Sequence, residues 1–326
     1  MDNIQLKSIS KKYKRNVVSG NSLEYIKSLF KRKYETVTAV SKVSLTIHSG
    51  EIIGLLGENG AGKSTLIKLM NGTIKPTNGS VNVLGYNPFL KDKQFLSQIG
   101  VVMGQKSQLW WDLSPRETFI LYKSIYNLSD VDFNNSLNRL LKTLKINNII
   151  DSPTRNLSLG ERMKCELICA LIHHPKILFL DEPTIGLDFI AQNDIHRFLL
   201  QYKQKHDTTI ILTSHYMNDI SYLADRVVIM SHGNKIYDNP IDDLEKITKE
   251  NIYLNFELNN VKAVVKDFNK NVYSSSNHRL SLKVPTNEVN KYIQLVGKLN
   301  NIHSYALKEL TIQDILEEIY VSGVKK

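Results

Sequence analysis

Runs of apolar residues alternate with helical stripes along roughly the first 245 residues of the chain. Residues 51–56, 99–103, 177–182, 208–214 and 226–230 are mostly apolar runs, a pattern typical of strands buried on both faces of a parallel sheet. In the intervening segments, apolar residues at every third or fourth position predict amphipathic helices. This strand–helix alternation predicts an α/β fold with a right-handed parallel core.

The first part of the chain also carries strands of a different kind. Residues 4–9 alternate apolar and polar side chains and predict one strand, residues 37–47 predict a pair of strands, and residues 80–84 predict another. Residues 19–34 place apolar side chains at helical spacing between clusters of Lys and Arg. We predict an inserted amphipathic helix there, which either packs on its own domain or lies on a membrane surface or a membrane partner.

The pattern changes near residue 251. Short strands and helices follow, which predicts a second, small α+β domain over residues 251–326. This segment holds no cysteine, and we interpret His278 and His303 as surface residues. We expect its elements in the order strand 252–258, helix 261–268, strands 272–273 and 279–284, helix 289–299, strand 303–307 and helix 312–320.

A glycine-rich loop between a predicted strand and a predicted helix organises the first domain. It fits the phosphate-binding pattern G-x-x-x-x-G-K-[ST] at each fixed position. Such a loop turns backbone N–H groups toward a triphosphate, and the helix N-terminus adds partial positive charge. Lys63 then reaches the outer phosphates, and the Ser64 hydroxyl can hold Mg²⁺. The loop residues are Gly57, Glu58, Asn59, Gly60, Ala61, Gly62, Lys63, Ser64 and Thr65.

Two carboxylates, Asp181 and Glu182, end one of the buried strands. Open α/β sheets place their ligands at the carboxyl ends of such strands. After a P-loop, we expect Asp181 to help hold the Mg²⁺ shell and Glu182 to orient or deprotonate a water. His215 follows another buried strand in the same position.

Ser158 is placed to cap a helix through residue 172, and Gly160 keeps the backbone there accessible to a phosphate, although a plain capped helix is the alternative.

Composition narrows the class of protein. The 326 residues are 42% hydrophobic and 23% charged, as expected for a globular protein of two domains. No apolar stretch is long enough to predict a membrane-spanning helix, and the N-terminus lacks the features of a signal peptide. The net charge of +10 is compatible with solvated lysines, with attraction to anionic lipid, or with nucleic-acid binding.

The two cysteines suit a reducing cytoplasm rather than a disulfide framework. Cys165, Cys169 and His173 fall at i, i+4 spacing on one predicted helix. One helix face rarely completes the four ligands of a zinc site, so we interpret the thiols as small buried side chains.

With these motifs in this order, residues 1–245 resemble the ATP-binding subunit of an ABC transporter. The implied fold is a P-loop NTPase core with a helical subdomain over about residues 106–172. In the signature, Leu159 stands where the family usually has glycine, and Glu161 where it has glutamine. Ser158 and Gly160 are kept, so we expect activity to survive. The resemblance rests on the P-loop, Gln105 of the glutamine loop, the signature Leu157-Ser158-Leu159-Gly160-Glu161, the strand ending in Asp181-Glu182, Gly186-Leu187-Asp188, and the switch His215.

The resemblance implies how ATP and Mg²⁺ would be held. Residues 57–65 would wrap the phosphates, and Ser64, Gln105 and Asp181 would hold the metal. Tyr13 would stack on adenine. Because the insertion separates Tyr13 from the P-loop, Tyr34 is a competing candidate.

The resemblance also implies the chemistry. Glu182 would be the general base, while Lys63, His215 and Gln105 would complete the catalytic set. Two subunits would close head to tail on two ATP molecules, so that Ser158 and Gly160 of each cap the nucleotide held by the other. Asp188 would couple the two sites across that interface.

The implied partners are a second ATPase subunit and a membrane protein. We expect a homodimer, or a heterodimer with a related subunit, bound to a separate integral membrane permease at the cytoplasmic face of the cell membrane, with no nucleic acid. The insertion and the segment of residues 105–113 resemble stand-alone ATPase subunits of bacterial drug and viologen exporters, which favours export. The alternative is a soluble ABC-type ATPase acting on ribosomes or nucleic acid. A regulatory role of the C-terminal domain also stays open.

Overall fold

The structure is a computed structural model that describes residues 2–16, 34–104, 107–214, 216–259, 261–266, 268, 271–299, 302–315 and 318–319. The chain divides into two compact units, Met1–Asp238 and Asn239–Lys326. Each unit has its own sheets and its own buried core.

A six-stranded sheet forms the centre of the first unit. Its neighbouring strands β5 and β6, β6 and β7, β7 and β3, and β3 and β8 are parallel, and β3 and β7 are buried along their whole length. The parallel α/β core predicted from the apolar runs is therefore confirmed. In sheet order the strands are β5 (Ile99–Met103), β6 (Ile177–Asp181), β7 (Thr209–Thr213), β3 (Ile52–Leu56), β8 (Arg226–Ser231) and β9 (Asn234–Pro240).

Helices of this unit follow the strands, as the alternation predicts. Between β5 and β6, the helices α3 (Pro115–Ile125) and α4 (Asp130–Leu144) both pack against α5 (Leu159–Leu171). These three helices form a helical layer in the region expected for the helical subdomain. The apolar stripe of α4 is buried, because its leucines recur on one helix face. The helices are α1 (Lys63–Met70), α2 (Lys93–Leu96), α3 (Pro115–Ile125), α4 (Asp130–Leu144), α5 (Leu159–Leu171), α6 (Phe189–His206) and α7 (Met217–Leu223).

A second, three-stranded sheet has the order β2-β1-β4, with β1 (Asp2–Asn16), β2 (Tyr34–His48) and β4 (Asn78–Val83). The prediction of two strands over residues 37–47 is wrong, because β2 is one strand that pairs with β1 through several register shifts. These bulges let two long strands stay paired while their side-chain alternation is interrupted. The first strand also extends well beyond the predicted residues 4–9, so that Tyr13 lies within β1. The helix predicted over residues 19–34 falls on residues that lie almost wholly outside the described part of the chain.

The second unit contains an antiparallel sheet of order β11-β12-β10-β13. The order of elements after α8 is βαββαβ, the ferredoxin-like arrangement. The predicted α+β class is therefore confirmed for this unit. Its elements are α8 (Ile241–Glu250), β10 (Asn251–Leu258), α9 (Val261–Val265), β11 (Val272–Ser275), β12 (Arg279–Pro285), α10 (Val289–Leu299) and β13 (Ile302–Glu309), followed by helical residues 312–315.

Among the described residues, no helix combines the length and the apolar character needed to cross a membrane.

Candidate functional site

The loop between β3 and α1 requires glycine where its backbone turns. Gly57 and Gly62 have φ angles of 152° and 103°. A Cβ atom on Gly57 would lie 2.4 Å from the carbonyl oxygen of Met230, and one on Gly62 would lie 2.4 Å from that of Ala39. Both positions therefore exclude a side chain on conformational and steric grounds. Residues 58–60 form the exposed part of the loop.

Lys63, the first residue of α1, is folded back into the loop. Its Nζ donates hydrogen bonds to the carbonyl oxygens of Gly57, at 2.5 Å, and Glu58, at 3.0 Å. Burial lowers the pKa of this ammonium, and the charges of Glu182 and Asp181 oppose that shift. The lysine is only 4% exposed, so a positive charge is held at the centre of the loop in a position to attract an anion.

Oxygen atoms from three elements meet below the loop. Ser64 Oγ on α1 and Thr213 Oγ1 at the end of β7 donate hydrogen bonds of 2.9 and 2.8 Å to the same oxygen of Asp181, at the end of β6. Thr213 Oγ1 also accepts a hydrogen bond from the backbone N–H of Glu182. A serine hydroxyl beside a carboxylate is an oxygen donor set of the kind that Mg²⁺ prefers. The structure thus brings together Lys63, Ser64, Asp181 and Glu182, as the motifs predict.

Glu182 has a left-handed backbone conformation with a φ of 55°. Such a conformation is uncommon for a residue other than glycine, and it marks a strained position immediately after a buried strand. Its backbone N–H donates to both the carbonyl and the hydroxyl oxygen of Thr213. These two bonds fix the turn in which the chain leaves β6.

A buried carboxylate, Asp219 on α7, supports the residues that follow Glu182 and β7. It accepts hydrogen bonds from Thr184 Oγ1 at 2.5 Å, Ser214 Oγ at 2.6 Å and His196 Nε2 at 2.9 Å. Burial alone would raise the pKa of Asp219, but the hydrogen bonds from His196, Ser214 and Thr184 outweigh it, and the pKa is lowered. Sequence reasoning missed this residue.

Ser214 connects this network to the segment around His215. Its Oγ accepts a hydrogen bond of 2.9 Å from the N–H of Tyr216 while donating to Asp219. His215 itself lies outside the described residues, so its predicted role stays a prediction. Ser214 could have been recognised as a site residue from the sequence, because it is a polar residue at the end of a buried strand.

Ser158 caps α5, which confirms the predicted N-cap. Glu161 N donates to Ser158 Oγ at 3.3 Å, and Ser158 N and Oγ donate to Glu161 Oε2 at 2.9 and 2.8 Å. This reciprocal capping box satisfies backbone donors at the helix start. Because Glu161 is a carboxylate, the first turn of α5 carries its own negative charge.

The start of α6 lies beside the start of α5. Asp188 caps α6, since its Oδ1 accepts a hydrogen bond of 2.8 Å from Ala191 N. A Cβ atom on Gly160 would lie 2.9 Å from that of Ala191, and one on Gly186 would lie 3.1 Å from Leu159 Cδ2. Asp188, which follows Gly160 by 28 residues in the sequence, therefore shares one surface with Ser158 and Gly160.

The segment after Gln105 is anchored to α5. Ser107 Oγ, at 2.5 Å, and Gln108 N, at 2.8 Å, donate to Glu166 Oε1. Burial raises the pKa of Glu166, and its hydrogen bonds to residues 107–109 partly oppose that shift. Gln105 lies outside the described residues, but the residues that follow it are held by the helix that begins at Ser158.

Tyr13 is 39% exposed on β1, with Lys11 Nζ 5.2 Å from its ring centre. Only the backbone of Tyr34 is described, so the choice between these two tyrosines as the residue that stacks on adenine stays open.

The thiols are buried, as predicted. Cys165 and Cys169 are unpaired and fully buried, and burial raises the pKa of Cys165 to about 12. No group of three or more His, Cys, Asp or Glu side chains suited to a metal occurs in the part of the chain that the structure describes. The exposure of His278 and His303 also agrees with the prediction.

Comparison with known proteins identifies relatives over most of the chain. The family model described as ABC transporter matches residues 40–185. The ABC transporter ATP-binding protein NatA of Bacillus subtilis is 32% identical over 66% of this chain and 87% of its own. The bacitracin transport ATP-binding protein BcrA of Bacillus licheniformis is 28% identical over 89% of this chain and 94% of its own.

Solved structures share the fold. A dimeric ATP-binding cassette, in a post-hydrolysis state with ADP and phosphate bound, superposes with a TM-score of 0.60. It is 20% identical to this chain and covers 73% of it, and 98% of the cassette is matched. At this identity the likeness supports the fold alone.

Proposed function

Because this chain belongs to the ABC transporter ATP-binding proteins and is therefore an ATPase of that family, we propose that it powers a separate membrane permease. The observation that carries the proposal is the joining of the P-loop helix to the end of β6, which brings Ser64, Asp181 and Glu182 together below Lys63. This arrangement supplies positive charge for phosphates, oxygen ligands for a metal, and a carboxylate to act on water.

In this proposal, Gly57 to Thr65 wrap the phosphates of ATP. Ser64 and Asp181, together with Gln105, would hold Mg²⁺, which would neutralise charge on the phosphates. Lys63 exchanges its bonds to loop carbonyls for bonds to the outer phosphates. Glu182 takes a proton from the attacking water, and His215 holds that water and the terminal phosphate.

A second copy, or a related subunit, completes the site in this proposal. Leu159, Ile185, Phe189 and Ile190 are 43%, 42%, 76% and 74% exposed around Ser158 and Asp188. Apolar side chains of this size clustered at a surface favour contact with another protein. Ser158 and Gly160 would then cap the nucleotide of the partner, and Asp188 would couple the two sites. The superposed cassette is itself a dimer.

The permease contact is proposed for the loop that follows Gln105. Trp110 and Trp111 are 60% and 54% exposed there, and Trp111 lies 5.2 Å from the guanidinium of Arg162. Glu166 on α5 accepts hydrogen bonds from this loop, and α5 begins at the signature residue Ser158. A movement of the permease would therefore be transmitted through the loop to the signature. We further propose a peripheral location on the cytoplasmic face of the membrane, and export as the direction, as in the drug and viologen exporters that the sequence resembles.

The first experiment measures ATP hydrolysis by the purified full chain and by Glu182→Gln. The amide keeps the size of the side chain but cannot take the proton, so hydrolysis should fall by a factor on the order of 100 or more while ATP still binds. Glu245→Gln, a half-exposed carboxylate on α8 that lies outside the proposed site, is the control and should hydrolyse ATP like the parent. Equal rates for the parent and Glu182→Gln would contradict the assigned base.

The second experiment identifies the partner. The tagged full chain is purified from detergent-solubilised membranes of its own host, with a Trp110→Ala/Trp111→Ala variant in parallel. Recovery of a multi-spanning membrane protein with the parent, reduced in the variant, supports a permease. Recovery of ribosomal components or nucleic acid with both proteins would instead support the soluble ATPase class.

A further inference from the structure

The strand β13 lies at an edge of the sheet in the second unit. It pairs with β10, and no other described strand neighbours it in that sheet. An edge strand of eight residues presents backbone N–H and C=O groups to another strand. Such an edge is open to pairing unless side chains protect it.

The apolar face of the sheet continues onto β13. Tyr305 is paired with Phe256, and Leu307 with Leu254, so both side chains lie on the face that carries the buried core. The helices α9 and α10 pack against β11 and β12 at the other side of this face. Tyr305 and Leu307 are consequently 53% and 52% exposed.

The usual protection of an edge is confined here to a bulge near Ile302 and to Lys308, whose side chain is 60% exposed. Natural edge strands are commonly blocked by proline or by outward-pointing lysine. No proline interrupts Ile302–Glu309. Lys308 is turned back onto its own unit, with its Nζ 5.5 Å from the ring centre of Tyr253 and 3.6 Å from Asp314.

The strand is complementary to itself in one antiparallel register. With a two-fold axis through Ala306, Tyr305 of each copy faces Leu307 of the other, so this contact is made twice. An aromatic ring packed against an apolar side chain is favourable across strands. Centring the axis on Tyr305 instead pairs the two Tyr305 rings once and places Leu307 opposite His303, which lies at a bulge of β13.

We propose that β13 docks antiparallel on β13 of a second copy about Ala306, and so joins two four-stranded sheets into one of eight strands. The two-fold symmetry follows from using the same surface on both copies. This contact needs neither nucleotide nor permease, so it goes beyond the proposed function and does not rest on it.

Single cysteines test the register. In nucleotide-free full chain carrying Lys63→Ala, Ala306→Cys should form a disulfide between copies, because the two Cβ atoms face each other across the strands. Ser304→Cys on the same strand face is the matched control. Its two copies would lie four residues apart along the strand, about 13 Å, and should stay unlinked. A mixture of Ser304→Cys and Lys308→Cys chains should cross-link. The native cysteines are fully buried and do not compete.

Sedimentation of the same nucleotide-free protein tests the affinity. Leu307→Lys should weaken dimerisation at least tenfold, because it replaces the leucine that faces Tyr305 of the other copy with a charged side chain. Leu90→Lys, a 74% exposed leucine in the first unit, adds the same charge and should leave dimerisation unchanged. Nucleotide-free monomer at tens of micromolar, or cross-linking of Ser304→Cys as readily as Ala306→Cys, overturns the proposal. ATP hydrolysis is measured separately, so loss of that activity bears only on the proposed function.

Discussion

The hydroxyl of Ser64 donates a hydrogen bond of 2.9 Å to Asp181, although 117 residues separate them in the sequence. This bond joins the first turn of α1 to the end of β6. Asp181 accepts a second bond from Thr213 on the same oxygen, so three elements converge on one carboxylate. The position of the carboxylate relative to the P-loop is therefore set by the sheet and not by the loop alone.

The first prediction concerns Mg²⁺. Asp181→Asn keeps an oxygen that can accept from Ser64 and Thr213 but removes the negative charge. We expect the Mg²⁺ concentration for half-maximal ATP hydrolysis to rise by at least 10- to 100-fold, which is about the loss in metal affinity when an outer-shell partner alone is removed. Titration of ATPase activity with MgCl₂ measures this. Asp151→Asn, an exposed carboxylate paired with Arg116, should titrate like the parent, and an unchanged Mg²⁺ requirement for Asp181→Asn would refute the assignment.

The second prediction concerns the buried network around Asp219. Asp219→Ala leaves the polar groups of Thr184, Ser214 and His196 without their shared acceptor. Since an unpaired buried polar group costs about 1–3 kcal/mol, we expect the free energy of unfolding to fall by about 3 kcal/mol or more. ATP hydrolysis should also fall, because Thr184 and Ser214 lie beside Glu182 and His215.

Urea denaturation and ATPase assays measure the two effects. Asp219→Asn keeps one acceptor oxygen and should lose less stability than the alanine variant. If Asp219→Ala unfolds at the same urea concentration as the parent, the network has no structural role.

The third prediction concerns the negative charge in the first turn of α5. Glutamine at this position preserves a capping box, so Glu161→Gln should keep the helix start intact. A carboxylate there opposes the binding of an anion at the helix N-terminus by about 0.3–1 kcal/mol. We therefore expect Glu161→Gln to lower the ATP concentration for half-maximal hydrolysis about two- to fivefold.

The chain supplies a matched control for this prediction. Ser114 and Glu117 form an equivalent capping box at the start of α3. Glu117→Gln should leave the ATP dependence unchanged, because that helix start is not part of the proposed site. An equal shift in both variants would show that the effect is not specific to the signature helix.

Sequence reasoning succeeded where a pattern is local. The strand β6 is four consecutive buried residues followed by Asp181, and the P-loop is a fixed spacing of residue types, so neither depends on distant contacts. The N-cap position of Ser158 was likewise predicted, since a serine directly before a helical pattern is a local signal.

The failures have physical causes. Ser8 and Lys42 have positive φ angles of 47° within β1 and β2, so bulges interrupt the alternation by which long strands are recognised. The sequence predicts a hairpin turn at residues 232–235 but not the extent of β9, because that strand is partly exposed and ends in Pro240. The partners of Asp219 are hydroxyl and imidazole groups up to 35 residues away, and only the fold brings them together.

The last prediction concerns the pH dependence of stability. Burial lowers the pKa of His173 to about 4, and its ring stacks on Tyr126 with 3.6 Å between centroids while Nε2 donates to the carbonyl of Ile99. Below a pH of about 6.5 the unfolded chain binds a proton here that the folded chain does not, so stability falls as the pH drops toward 4. Between pH 7.5 and 5.0 this residue should cost about 2 kcal/mol in the free energy of unfolding, measured by urea denaturation. His173→Gln should lose correspondingly less over that interval, whereas the exposed His278→Gln should follow the parent. An identical pH dependence for His173→Gln and the parent would show that His173 does not titrate in this way.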